Sequence, residues 1–270
     1  MQTLRLLTLN IWSHHPPWQT RKRLIRQGLV AESPDLVALQ EVLQPHGPGT
    51  SQADELAEGL GYRVAFSRAC RLTRPLAADF GLALLSRFPI REHRTELLPT
   101  PSGVETRALL YALCSVKVGV LPVLVTHLSW EPELGEVRQA QLAHIASFVQ
   151  KELAELPARL PAHVAILPPV LLGDLNSSPD SPELRGFLGS SGFLDCFAAG
   201  GQGAGLTMDA RNPGATKDGV LLSGRIDYLM LGPSPAGQVR VREARLCLHH
   251  DEAGVFPSDH FGVVADLEVG

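Results

Sequence analysis

Residues 168–179 read PPVLLGDLNSSP: a compact apolar run, Pro168–Leu172, passes through Gly173 directly into a carboxylate and an amide, Asp174 and Asn176. The run predicts a buried strand. Asp174 and Asn176, two positions apart, can both be aimed into a cleft by one tight turn. The same construction recurs along the chain. Leu4–Leu9 predicts a strand ending at Asn10, Leu36–Leu39 one that delivers Gln40 and Glu41, and Val120–Thr126 one that ends at His127. Asp259 and His260 stand just before a strand predicted over Phe261–Leu267, and Asp227 sits at the opening of another over Ile226–Leu231. A single strand-end carboxylate is ordinarily a turn or cap residue. A whole set implies sheets that converge their ends on one face, where residues distant in sequence meet in a cleft.

Between these strands the pattern alternates with helices. A helix is predicted from about Thr20 to Glu32, with Leu24, Gly28 and Ala31 on one face and Ser33-Pro34 as its stop. A short helix follows over 54–60, then strands over Tyr62–Phe66, Phe80–Leu85 and Ala108–Lys117, the last turning through Gly119 into Val120–Thr126. Three successive apolar runs there suggest antiparallel pairing. Leu142, Ile145, Val149, Leu153 and Leu156 recur at three- and four-residue steps, predicting a helix from about Pro132 to Leu156 closed by Pro157. Another begins at Ser181 with Pro182 in its first turn. A late strand is predicted over Val239–Leu246, and Pro and Gly clusters at 200–219 and 232–237 read as loops. The order of elements predicts a mixed α/β protein with helices covering packed sheets.

Composition sets the limits. At 270 residues, 44% hydrophobic and 19% charged, the chain is an ordinary globular protein rather than a disordered one. No stretch reads as a linker, so one domain over residues 1–270 is expected. A net charge of −4 argues against indiscriminate binding to duplex nucleic acid on a broad basic face. Local basic tracks remain at Arg21, Lys22, Arg23 and Arg26, and at Arg68, Arg71 and Arg74. Cys70, Cys114, Cys196 and Cys247 lie far apart without a CxxC pair, so neither a zinc signature nor a disulfide framework is expected. No apolar run reaches the roughly 20 residues of a membrane helix, and Asn10 interrupts the leucine-rich start. The expectation is a cytoplasmic monomer.

In chain order the motifs TLNIW (8–12), LQEV (39–42), ETRALLYA (105–112), THLSW (126–130), GDLNSSP (173–179), RIDYLML (225–231) and PSDHFGV (257–263) resemble the endonuclease/exonuclease/phosphatase superfamily. The resemblance implies an α/β fold of the α+β type, a four-layer sandwich of two packed mixed sheets flanked by helices. It also implies divalent-metal-dependent hydrolysis of a phosphate ester by in-line water attack, with Mg²⁺ expected and Mn²⁺ or Ca²⁺ as alternatives. A hard cation needs few protein oxygens. Glu41 is expected to be its carboxylate, with an amide oxygen from Asn10 and Asp259 contributing directly or through water. Asp174 is expected to take or orient a proton of the attacking water, and Asn176 to hold that water or a phosphate oxygen. Asp227 is expected to hydrogen-bond His260. Whether Asp174 or His260 is the base stays open. His127 is expected to contact the phosphate or protonate the leaving oxygen, and Arg107 to offer a fork for phosphate oxygens.

Two departures bear on the substrate. Trp12 stands where the repair nucleases carry an acid, and His127 replaces their tyrosine, which points toward the deoxyribonuclease and sphingomyelinase branches. Nucleic acid is the leading substrate, with a sphingomyelinase-like phospholipid substrate and a small phosphate ester as alternatives. A catalytically inactive binding module is the alternative of another class. Trp12, Trp18 and Trp130 are expected to form an aromatic rim, stacking a base or holding a choline-like cation. Thr207 and Asn212 precede RIDY and are further candidates to line the site.

Overall fold

The N-terminal strand, β1 (Gln2–Asn10), shows why its run is apolar without alternation. Leu4 and Leu6 face one hydrophobic layer while Leu7 and Leu9 face another. A strand buried on both faces has no polar side to alternate with. The computed structural model describes residues 2–47, 49–73, 77–217, 220–233 and 239–270. In chain order β1 is followed by α1 (Trp18–Glu32), β2 (Leu36–Pro45), α2 (Gln52–Ala57), β3 (Arg63–Leu72), β4 (Ala78–Ser86), β5 (Ile90–Leu97), β6 (Ala108–Val116) and β7 (Gly119–His127). Then come α3 (Gly135–Arg159), β8 (Val170–Asp174), α4 (Pro182–Ser191), β9 (Leu194–Asp195), α5 (Cys196–Gly200), β10 (Thr216–Lys217), β11 (Val220–Leu221), β12 (Asp227–Leu231), β13 (Val239–Cys247) and β14 (Gly262–Val269).

Two six-stranded sheets form, in the orders β13-β14-β1-β2-β4-β3 and β5-β6-β7-β8-β12-β9. Each is mixed: β1 with β2 and β7 with β8 run parallel, and the remaining neighbours run antiparallel. The inner faces meet in one apolar layer that includes Leu6, Leu84, Leu110, Val125, Leu172 and Leu267. Ile25 and Leu29 of α1 and Leu56 of α2 cover the outer face of the first sheet. Leu142, Ile145 and Val149 of α3, with Leu184 of α4, cover that of the second. The result is the expected four-layer sandwich, built as helices on two packed sheets.

Several local expectations are corrected. The buried face of α1 is Trp18, Arg21, Leu24, Ile25 and Leu29, while Ala31 is exposed. The helix begins two residues earlier than expected, with Trp18 tucked under its first turn. β2 does not stop at Leu39: it continues to Pro45 through a register shift between Leu39 and Val42. β4 pairs with β2 and β3 in the first sheet, so only β6 and β7 of the three apolar runs form the expected hairpin. Pro157 does not close α3, which runs on to Arg159. A proline so near the end removes one hydrogen bond from the final turn, and Arg159 still reaches back to Glu152 (Nη2–Oε2 2.7 Å). β5, IREHRTEL, was not foreseen. It is an edge strand with mostly exposed or half-buried polar residues, so no apolar run announces it. Arg74, residues 218 and 219, and residues 234–237 of the second loop lie outside the described residues. The four cysteines are free, three of them buried. Among the described residues no helix is long and apolar enough to cross a membrane.

Candidate active site

Four strands carry an inward-facing row toward the same end of the sandwich, and the last step of each row is polar. In β7 the row Leu121, Val123, Val125 continues to His127, and in β8 Val170 and Leu172 continue to Asp174. In β12, Leu231 and Leu229 lead back to Asp227, and in β1, Leu4 and Leu6 lead through Thr8 to Asn10. The period of two makes this unavoidable once the apolar steps are buried. The pairing then lines them up: His127 is the register partner of Asp174, and Asp174 that of Asp227. Gly173 permits this close pairing. Its φ is +151°, and a Cβ there would stand 2.0 Å from the Thr126 carbonyl oxygen.

Glu41 arrives by another device. It lies in the bulge of β2 with φ +60°, a conformation uncommon for a residue with a side chain. The bulge re-aims the side chain into the cleft. His260 comes from the turn before β14, pinned by the Phe261 N–H donating to the Thr207 carbonyl (2.7 Å). Arg107 precedes β6 and is buried at 2% exposure.

Asn10, Glu41, Arg107, His127, Asp174, Asn176 and His260 line one cleft of about 490 Å³, whose walls also include Glu105, Trp130 and Met208; Asp227 and Asp259 stand behind this lining rather than in it. Asp174 is its hub. Its Oδ2 accepts from Asn10 Nδ2 (3.2 Å) and lies 3.5 Å from His127 Nε2 and 3.9 Å from His260 Nε2. Its Oδ1 accepts the Asn176 backbone N–H (2.9 Å), a local turn that sets Asn176 at φ +48°. The Asn176 amide donates to the Leu128 carbonyl (3.1 Å). His260 Nδ1 and Asp227 Oδ2 are 2.8 Å apart. Thr207 Oγ1 in turn accepts the backbone N–H groups of Ile226 and Asp227.

The charges follow from burial and neighbours. Burial, then the nearby Asp227 carboxylate, pushes Asp174 above the ordinary carboxylate range. Burial by itself disfavours charge on His260, but Asp227, Asp259 and Asp174 outweigh it and hold the imidazole well above its usual value. Burial, with Arg107 and His260 adding repulsion, drives His127 well below its usual value, so it is neutral. The two imidazoles of the cleft are thus pushed in opposite directions.

Does the cleft suit the expected cation? Burial, then Asp259, pushes Glu41 upward, and burial does the same to Asp259. Glu41 and Asp259 are half-buried, mutually repelling carboxylates, and such hard oxygen donors suit a divalent ion. The Asn10 amide is held on both sides. Its oxygen accepts the Trp12 N–H (3.0 Å), and the amide nitrogen bridges Glu41 Oε1 (3.2 Å) and Asp174. The backbone donor on one side and two carboxylates on the other fix the orientation. Ligand atoms of Asp174, Asp227 and His260 also lie within 4.8 Å of one another. There the His260–Asp227 hydrogen bond already occupies one atom of each, an arrangement for orienting an imidazole.

Other candidates fall elsewhere. Only Trp130 of the three tryptophans lines this cleft. Trp12 is stacked on His15 with centroids 3.7 Å apart, and Trp18 is buried with its Nε1 donating to Glu55. The α1 basic track is committed too. Arg21 is buried among the carbonyls of Ile11, Trp12, Ser13, His15 and Pro257. Lys22 pairs with Glu55 and Arg23 with Glu252, while Arg26 donates to the Glu55, Leu56 and Glu58 carbonyls. Arg68 and Arg71 share Asp79. Neither Thr207 nor Asn212 lines the cleft; the Asn212 amide donates to the Ser258 and Asp259 carbonyls and so supports the SDH turn. Ser258, whose hydroxyl donates to the Asn10 carbonyl (2.6 Å), was not anticipated, although it stands inside a quoted motif.

Comparison with known proteins places this cleft in context. The chain is 29% identical over 180 residues to Protein angel homolog 2 of Danio rerio, a match covering 63% of this chain and 30% of that protein. It thus spans less than a third of that relative's length. Among solved structures it is similar to an endonuclease/exonuclease/phosphatase from Beutenbergia cavernae, with 27% identity, a TM-score of 0.72, and coverage of 100% of this chain and 72% of the other. Its fold also matches D. rerio TDP2 complexed with single strand DNA product, at 19% identity, a TM-score of 0.76 and full coverage of both chains. Residues 7–260, from the middle of β1 to the cleft histidine, match the model of the Endonuclease/Exonuclease/phosphatase family, and the chain belongs to that family.

Proposed function

We propose that the chain is a Mg²⁺-dependent phosphodiesterase that hydrolyses nucleic acid. The observation that carries this reading is the meeting of Glu41, Arg107, His127, Asp174 and His260 in one cleft. Phosphate ester hydrolysis depends on positioning and charge neutralisation, and this set supplies a base, a fixed cation and phosphate donors. Asp174 is the general base: it lines the cleft between the two histidines, 3.5 Å from His127 Nε2 and 3.9 Å from His260 Nε2, and its environment raises its proton affinity. His260, kept cationic and oriented by Asp227, donates to a phosphate oxygen as charge grows there. His127 is neutral and so binds phosphate rather than protonating a leaving group. Arg107 and His127 both line the cleft, and the guanidinium is suited to phosphate oxygens. Asn176 holds the water or a phosphate oxygen, and Asn10 positions the two carboxylates it bridges. A divalent cation held by Glu41 with Asp259 would neutralise the phosphate and the leaving oxygen when bound.

Trp130, 44% exposed at the cleft wall, favours a substrate with a stackable base, as does the single-strand DNA product bound by the TDP2 relative in fold. A single domain over residues 1–270 acting as a monomer completes the proposal, and the four free thiols suit a reducing, cytoplasmic setting. The decisive experiment offers single-stranded DNA, RNA, plasmid, sphingomyelin, an aryl phosphodiester and an aryl phosphomonoester in parallel, with Mg²⁺, Mn²⁺, Ca²⁺ or EDTA. Nucleic acid cleavage with Mg²⁺, abolished in His260→Ala and Glu41→Ala, is expected. Turnover of sphingomyelin or the monoester alone would replace the substrate assignment. No turnover on the whole panel would make the chain a binding module.

A further inference from the structure

Glu105, the first residue of ETRALLYA, has no part in the chemistry above, yet it lines the same cleft. Its Oε1 lies 3.1 Å from Arg107 Nη1, and its side chain is 39% exposed where that of Arg107 is 2%. Among the described residues Arg107 is the one guanidinium lining the cleft. Glu105 engages one end of it, while Nε at the other end is buried without a partner. A phosphate that pairs with Arg107 from the cleft is therefore held beside a carboxylate.

The consequence depends on the charge of that phosphate. A phosphodiester carries one negative charge. A monoester carries nearly two at neutral pH, because its second ionisation lies near pH 6. The second charge enters a site already lined by Glu41, Asp174 and Glu105. His127 is neutral, and the charge of His260 is offset by Asp227 on its Nδ1, which leaves only Nε2 to face the phosphate. We infer that Glu105 sets the charge selectivity of the cleft, disfavouring dianionic phosphate monoesters and thereby making it a phosphodiester site. Specificity of this kind works by repelling the wrong ligand.

The same residue acts on the product. In hydrolysis the water oxygen bonds to phosphorus and one P–O ester bond breaks. One water proton passes through the base and the other stays on the new P–OH group, while the leaving oxygen acquires a proton to become an alcohol. The product is a monoester that ionises to a dianion, so Glu105 favours its release and opposes a second cleavage.

This inference rests on the hydrolase reading, but its first test does not need turnover. The full chain and its Glu105→Gln variant are titrated calorimetrically with inorganic phosphate and with dimethyl phosphate at pH 8, with and without Mg²⁺. Glu105→Gln is expected to tighten phosphate relative to dimethyl phosphate by about tenfold, the order for removing one partly exposed like charge. The ratio of monoester to diester kcat/KM should rise by a similar factor. Arg107→Lys should weaken both anions, locating them at the guanidinium. An unchanged ratio would overturn the inference and leave Glu105 a surface ion pair. Equal weakening of both anions would overturn it differently, making Glu105 a prop for Arg107. A chain that shows the binding ratio but cleaves no ester refutes the hydrolase reading alone. Diester turnover with an unchanged ratio refutes only the selectivity.

Discussion

Asp227 shows how one buried carboxylate can set the charge of the imidazole it faces, the group proposed to act on the phosphate. Its Oδ2 faces His260 Nδ1 at 2.8 Å, and its own backbone is held by Thr207. Replacing it by asparagine keeps the shape and removes the charge. Asp227→Asn is expected to lower the His260 pKa toward the ordinary histidine range, readable by NMR titration of the imidazole. The sign follows: wild-type His260 keeps its proton as pH rises through neutrality, whereas the variant loses it there. The variant's residual rate should therefore fall with rising pH across that range, and kcat/KM should drop by about 10² to 10⁴. A variant with normal turnover and an unshifted imidazole would remove Asp227 from the mechanism. Asn10 belongs to the same scale. Its role as a bridge between Glu41 and Asp174 depends on which way one amide points, a matter of three neighbours rather than of residue type.

At the scale of elements the segment joining β1 to α1 stands out, because it is held from within the helix. Trp12 and Ser13 both have positive φ, and Arg21 from the first turn of α1 donates to carbonyls on either side of them. Burial pushes the guanidinium down to about 10, which still leaves it charged at neutral pH. The same side chain reaches Pro257, so it ties the loop after Asn10 to the segment carrying Asp259 and His260. Arg21→Met leaves several buried acceptors unpaired and should destabilise the protein by at least about 3 kcal/mol. Urea unfolding measures that loss. Arg21→Lys should not restore it, since an ammonium has three donors on one atom and cannot span the same acceptors. A lysine variant as stable as wild type would show that charge alone suffices.

For the whole molecule the sandwich brings Glu41 from one sheet and Asp174 from the other to the same opening. The carboxylates there repel one another, and a cation that binds only the folded chain adds stability by mass action, about 2.7 kcal/mol at 100 times its dissociation constant. Millimolar Mg²⁺ should therefore raise the melting temperature, EDTA should reverse the rise, and Glu41→Gln should lose it. Equal shifts in wild type and variant, followed by differential scanning fluorimetry, would move the ion away from Glu41.

The sequence by itself determined the rows and their ends. Apolar steps of period two that stop at Asn10, His127, Asp174 and Asp227 dictate which side chains reach the cleft end of the sandwich, and the three- and four-residue spacing from Leu142 to Leu156 dictates the face of α3. Motif order carried the rest of the resemblance. Tertiary structure alone decided what depends on a partner across the fold. The bulge that turns Glu41 inward arises because β2 resumes pairing with β4 at Val42 and Gly81, and nothing local to LQEV requires it. Arg21 lies in the basic track of α1, yet the preceding loop folds over it, and Trp18 is buried with its Nε1 on Glu55 of α2. A side chain's own periodicity specifies its face, but burial, amide orientation and ion pairing are set by neighbours up to hundreds of residues away, and those are known only once the chain has folded.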